Sequence, residues 1–383
     1  MRVLSILPFP VLPLTHGGRV RAYRLAVGLA GAGATVDLCC PWHPAFPLRP
    51  FRREGVTIRP FVFAANVLPV LLGDRIVPPL LQLSRQPLTS GPRRLLRQCR
   101  AYDIVEFHFC AYAAWMSRIG GQPRVVYCAH NVEKDYAVAA SPFYHLFARQ
   151  IEDLERRAVR ASDLVVACTD ADGRRLGGLY GEPKALAVLP NGFDETEVAE
   201  ARGYGREQAR AELGLRPDEL AILFVGGPAV HNRRAARFLE EKLLPAVTRP
   251  ARLIIAGRCA RPHRQGRVLA LGFVTSLAPL LAAADVAVNP VESGSGSNLK
   301  LAEYVAAGLP VVSTPFGLRG YEAFADRVTV AELSGFAAAV QAGGRLGDPP
   351  PGIADLGWSA LGARLHELYA EVIAGLPRAG ARR

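Results

Sequence analysis

Residues 289–320 read NPVESGSGSNLKLAEYVAAGLPVVSTPFGLRG. Small residues, Ser293-Gly294-Ser295-Gly296-Ser297, make a loop that runs into a helical pattern carrying Lys300 and Glu303. Gly308-Leu309-Pro310 stops that pattern, and the apolar run Val311-Val312-Ser313 resumes as a strand. A glycine loop entering a helix offers unused backbone N–H groups, here those of Ser297, Asn298 and Leu299, at the positive end of a dipole. That combination suits a phosphate. Lys300, one turn in, adds charge. Glu303 lies on nearly the same helix face and can accept from hydroxyl donors such as a ribose. Loop, lysine and glutamate together describe a pocket for a sugar nucleotide better than one for bare phosphate.

The same alternation of short apolar runs and helical patterns extends outward to both ends, which predicts parallel sheets covered by helices. Upstream, strands fit 3–7, 36–40, 56–61, 104–107, 125–128, 164–168 and 186–189, with helices at 19–32, 143–160 and 171–180. The alternation restarts after Pro190-Asn191-Gly192-Phe193-Asp194. Strands then fit 221–225, 252–256, 268–271, 286–289 and 311–313, and helices fit 233–244, 277–283, 298–307 and 333–342. This predicts two domains, 1–189 and 190–358. A last helical pattern, 359–373, has no strand after it, and the segment 359–383 is free to pack back on the first domain. Ligands of doubly wound sheets sit at the carboxyl ends of the strands. Gly17-Gly18, after the first strand, is therefore a candidate site. So is His130, which closes the strand 125–128.

The chain has 383 residues, half of them apolar, and a formal charge of +12. Its bases are nearly all arginine; the lysines are Lys134, Lys184, Lys242 and Lys300. An arginine-rich composition of this kind is weak evidence for nucleic acid, and no nucleic-acid partner is expected. A lysine in the phosphate loop of such a chain is informative. The seven cysteines show no C-x-x-C pair and no zinc spacing, so reduced core cysteines of a cytoplasmic protein are expected. The apolar N-terminus is broken by three prolines and reads as a first strand feeding a glycine loop rather than as a leader. No D-x-D pair is flanked by strand signals, so no metal is expected.

In order, Thr15-His16-Gly17-Gly18-Arg19, the run 126–133 (VYCAHNVE), Ala161-Ser162-Asp163-Leu164-Val165-Val166, Leu189-Pro190-Asn191-Gly192-Phe193-Asp194 and the segment 289–320 resemble the signatures of the retaining glycosyltransferases of family four. The resemblance spans nearly the whole chain. It implies an α/β GT-B fold of two facing Rossmann-like, doubly wound domains with an interdomain cleft. The first domain would be the acceptor side and the second the nucleotide-sugar side. It further implies transfer from a UDP- or GDP-linked sugar to an acceptor hydroxyl with retention, and no cofactor beyond that co-substrate.

Residue by residue, the resemblance implies that His130 borders the transferred sugar, that Arg233 or Arg234 meets the diphosphate, and that Gly272-Phe273-Val274 hold the base. Glu303 would hold the ribose, and Lys300, with the N–H groups of Gly17, Gly18 and the 296–299 loop, would stabilise the leaving diphosphate. One departure stands out. The family's first donor glutamate falls on Ser295, and Glu292, three residues earlier, is the candidate replacement. A nucleotide-sugar epimerase or hydrolase of the same fold and a non-catalytic binding subunit are the competing readings. Residues 69–100 mix leucines with Arg85, Arg93, Arg94, Arg97 and Arg100. They suit either a solvated core helix or a basic face toward a lipid-linked acceptor at the inner membrane surface, while a small soluble acceptor is equally compatible.

Overall fold

A computed structural model describes residues 1–62, 97–121, 123–140, 147–294, 296–343 and 347–375. Ser295, most of the leucine–arginine segment 69–100 and the start of the helix expected at 143–160 lie outside them. The chain divides into two compact units, Met1–Leu189 with Ser359–Arg383, and Pro190–Trp358.

The first unit holds an eight-stranded sheet in the order β3-β4-β2-β1-β5-β6-β7-β8. Its strands are β1 (Arg2–Ile6), β2 (Thr35–Pro41), β3 (Phe51–Arg53), β4 (Val56–Phe61), β5 (Ile104–His108), β6 (Arg124–Cys128), β7 (Leu164–Ala167) and β8 (Leu186–Val188). All pairings are parallel except β3 with β4. The central strands are buried on both faces, which is why they read as unbroken apolar runs. β3 is a correction to the all-parallel expectation. Its sequence, Phe-Arg-Arg, is too short and polar to read as a strand, yet Glu54 (φ 47°) and Gly55 (φ 81°) turn it tightly onto β4.

The second unit holds a seven-stranded sheet, β11-β12-β10-β9-β13-β14-β15. These are β9 (Leu220–Val225), β10 (Ala251–Ala256), β11 (His263–Gln265), β12 (Val268–Gly272), β13 (Val286–Asn289), β14 (Val311–Ser313) and β15 (Val328–Val330). Only β11 is antiparallel, again a short polar edge strand that the sequence reading passed over. The strand order reverses direction between β1 and β5 in the first unit and between β9 and β13 in the second. Those two points are where an open α/β sheet leaves a crevice.

Four helices carry candidate residues or pack beside them: in the first unit α1 (Gly17–Gly31) and α4 (Trp358–Ala374), in the second α2 (Val230–Phe238) and α3 (Leu299–Ala306). α1 starts two residues earlier than expected, so Gly17 and Gly18 form its first turn. α4 packs on α1 at a point where both helices carry glycine. A methyl group at Gly362 would lie 2.2 Å from the Gly28 carbonyl carbon. Neither backbone can retreat, so Gly362→Ala should destabilise the first unit by at least about 1–3 kcal/mol. Urea unfolding measures this, and an unchanged midpoint would contradict the close approach. Among the described residues no helix is long and apolar enough to cross a membrane. All seven cysteines are buried and none forms a disulfide.

Candidate active site

In the second unit, β13 ends at Asn289 and the loop climbs through Gly294 (φ 134°) and Gly296 (φ 69°) into α3. Only glycine takes these backbone angles without strain. Asn191 anchors the loop: its Nδ2 donates to Ser297 O and to Ser297 Oγ, both at 3.0 Å. Arg319 donates to Gly296 O at 2.8 Å. Asn298 sits at the N-cap of α3 but supplies no side-chain cap; its amide donates to Gly317 O instead, at 3.3 Å. The helix end is therefore left open to an anion.

Lys300 lies under that end and is only 8% exposed. Its ammonium donates to Asn232 Oδ1 at 2.9 Å and Asn289 Oδ1 at 3.5 Å, and it rests 4.8 Å above the Phe224 ring. No carboxylate lies within salt-bridge distance of it among the described residues. Burial lowers its pKa to about 8, although Cys259 and Glu303 act the other way. His231 packs against Gly294. Burial, with Lys300 nearby, brings its pKa down to about 4. Glu303 is half-buried one turn along α3. Burial first, then the charges of Glu197 and Asp194, raise its pKa to about 8 against the pull of Lys300.

In the first unit, aromatic rings gather at the carboxyl ends of β1, β5 and β6. Phe109 stacks on His130 with centroids 4.3 Å apart, and Phe9 meets both Phe109 and His16 edge-on at 5.2 Å. Gly18 touches this group, since a methyl there would lie 3.2 Å from the Phe109 ring. Phe109 has φ 65° and ψ 163°, a region almost reserved for glycine. Such strain persists only where the surroundings enforce it, and it concentrates at functional sites. His130 is 6% exposed, and its Nε2 meets His108 Nδ1 at 2.7 Å.

The family profile described as Glycosyltransferase Family 4 matches residues 15–197, and that described as Glycosyl transferases group 1 matches 219–342. The chain belongs to glycosyltransferase family 4. A curated relative, the D-inositol 3-phosphate glycosyltransferase of Actinosynnema mirum, is 30% identical over 257 residues, covering 63% of this chain and 59% of its own length. The chain thus spans about three-fifths of that relative. Among solved structures, sucrose-phosphate synthase from Thermosynechococcus elongatus superposes with a TM-score of 0.75 at 17% identity, over 98% of this chain and all of that one. An E. coli structure described as trehalose-6-phosphate bound with UDP-2-fluoro glucose gives 0.60 at 15% identity, over 97% and 96%. At these identities the likeness establishes the GT-B fold of the chain.

Within this family 4 fold, Lys300, Ser297, Asn298, Leu299 and Gly296 come together around the open end of α3, with Glu303 one turn further. Glu292 is exposed on the loop, and Ser295 lies outside the described residues. α2 begins at Val230, not at Arg233 as the sequence suggested. The residue reaching Lys300 is therefore Asn232, while Arg233 and Arg234 are exposed. Gly272 (φ 69°) closes β12, and Phe273 after it is 50% exposed with the Arg258 guanidinium 5.6 Å over its ring. Val274 is half-buried.

Sequence reading missed Asn232, Asn289, Phe109 and the partners of His108. The two asparagines carry no periodic signal, and nothing local marks Phe109. Cysteine spacing also missed that Glu106, His108 and Cys128 place three polar atoms within 4.8 Å of one another. Ser5, Tyr369 and His130 already engage this group by hydrogen bonds, which makes it a buried polar network.

Proposed function

We propose that this chain transfers a glycosyl group from a nucleoside diphosphate sugar to an acceptor hydroxyl with retention of configuration and without a metal ion. The observation that carries the reading is Lys300. It is a buried ammonium with amide oxygens and a π-face around it, no carboxylate partner among the described residues, and an uncapped helix end above it. Breaking the glycosidic bond places negative charge on the departing diphosphate, and positive charge fixed beforehand stabilises that change. Lys300 and the α3 N–H groups supply it, so no metal is needed in this reading. Glu303, in its ionised form, accepts from the ribose hydroxyls. Gly272, Phe273 and Val274 border the base, and in the first unit His130 is the residue that meets a substrate hydroxyl. The acceptor attacks on the face the diphosphate leaves, and the diphosphate takes its proton.

The E. coli neighbour's UDP-sugar supports a uridine donor, with GDP-sugars as the other arm. The curated relatives make a phosphorylated polyol a sensible acceptor to set beside lipid-linked ones. A thermal-shift screen of nucleoside diphosphates and their sugars tests the donor half. The right one, at a hundredfold excess over its Kd, should stabilise the protein by about 2.7 kcal/mol. No shift with any nucleotide across UDP, GDP, ADP, CDP and dTDP derivatives would sink the reading.

A further inference from the structure

A chain of buried hydrogen bonds runs from α4 to His130. Tyr369 OH donates to Glu106 Oε2 at 2.6 Å. Ser5 Oγ donates to Glu106 Oε1 at 3.2 Å, and His108 Nε2 pairs with the same oxygen. His108 Nδ1 then meets His130 Nε2 at 2.7 Å. Glu106, His108 and Tyr369 are each at most 1% exposed. His130 is nine-tenths buried, its Nε2 is engaged by His108, and Phe109 stacks on its face. Its remaining nitrogen, Nδ1, makes no hydrogen bond among the described residues.

We propose that Tyr369, Glu106 and His108 are positioning residues that fix the tautomer of His130, so that its Nδ1 stands as a bare acceptor for a substrate hydroxyl. The polarity follows link by link. A carboxylate only accepts, so a neutral His108 turns Nε2–H toward Glu106 and leaves its Nδ1 as a lone pair. That lone pair accepts the Nε2–H of His130, and the proton of the neutral His130 ring is thereby taken from Nδ1. Burial first, with Arg21 on α1 beside it, favours the neutral form of His130 and holds its pKa well below the usual histidine value. Glu106 stays ionised. Burial acts against it, but the hydrogen bonds from His108, Tyr369 and Ser5 hold its pKa below the usual carboxylate range. α4 follows the second unit in sequence, yet one of its side chains closes this relay in the first.

That the open nitrogen meets a substrate hydroxyl rests on the function proposed above; the tautomer does not. Nitrogen-15 histidine spectra of the full chain, with the His130 signals assigned through His130→Asn, read the tautomer directly. The expected result is a neutral His130 ring with its proton on Nε2 throughout the neutral pH range. In Glu106→Gln and in His108→Asn, the signals should move toward the Nδ1–H form, and in Tyr369→Phe they should move in the same direction by less. In a turnover assay, Glu106→Gln should lose about 10²-fold in kcat with an unchanged KM for the donor. A proton on Nδ1 in the unmodified chain, or signals unmoved in both Glu106→Gln and His108→Asn, would overturn the relay. Failure of every nucleotide to stabilise the chain would instead count against the donor reading and leave the tautomer result standing.

Discussion

Lys300→Met should abolish nucleotide-induced stabilisation and slow donor turnover by at least about 10²-fold, without weakening the ligand-free fold. The two halves of this expectation have one cause. An ammonium this deeply buried, with only two amide oxygens and an aromatic face around it, is poorly compensated for its lost hydration. Methionine fills much of the same volume and carries no charge, so the empty protein keeps or gains stability. The diphosphate then loses the charge that stabilises it as it leaves.

The pH dependence carries a definite sign. Burial puts the Lys300 pKa at about 8, below its ordinary 10.5, so between those values the unfolded chain binds the extra proton. Stability of the ligand-free protein should therefore rise with pH across that window. A bound diphosphate pulls the proton back, so affinity should strengthen as pH falls through about 8, with proton uptake on binding. Melting curves and titration calorimetry in buffers of different ionisation enthalpy measure both. A Lys300→Met protein that still gains stability from nucleotide would defeat the assignment.

Glu303→Gln should cost about 10-fold or more in nucleotide affinity, because bonds to a charged acceptor contribute about 1.5–3 kcal/mol. It should also erase the discrimination between ribose and 2′-deoxyribose nucleotides. Comparing the two nucleotides on both proteins makes a cycle that isolates the contact. Equal discrimination before and after the change would show that Glu303 does not touch the ribose.

The pH sign is opposite to that of the lysine. The Glu303 pKa is raised from 4.5 to about 8, by burial and then by Glu197 and Asp194. Its contribution to stability is complete below 4.5 and is lost as pH rises through about 8. Glu303→Gln should flatten that decline. The glutamate and the lysine thus titrate in the same range, and the ligand-free protein near neutrality holds the acid largely protonated.

Much of the sheet could be read because buried parallel strands are continuous apolar runs. Ile104, Val105 and Phe107, or Ala221 through Val225, need no partner to be recognised. The edge strands β3 and β11 could not, because Phe51–Arg53 and His263–Gln265 gain their pairing from a neighbour rather than from their own composition. Helix starts were less legible than helices. Val230, rather than Arg233, opens α2, and a shift of three residues decides whether an exposed arginine or the buried Asn232 belongs to the Lys300 pocket. The histidine closing β6 was visible as a candidate; its dependence on Glu106 and Tyr369 was not, since nothing in Ile104–His108 or in the last helix points to the other.

The sequence by itself determined the alternation of strands and helices, the two glycine entries, and the spacing that puts Lys300 and Glu303 on one face of one helix. These are local properties, set by periodicity and by backbone angles that few residues tolerate. Tertiary structure alone decided what those residues meet. Asn289 and Asn232 reach Lys300 from the strand and the helix beside it, and Tyr369 reaches Glu106 from the far end of the chain. Such contacts arise when strands joined by long crossovers become neighbours, and burial, which moves the lysine's pKa down and the glutamate's up, exists only after they have.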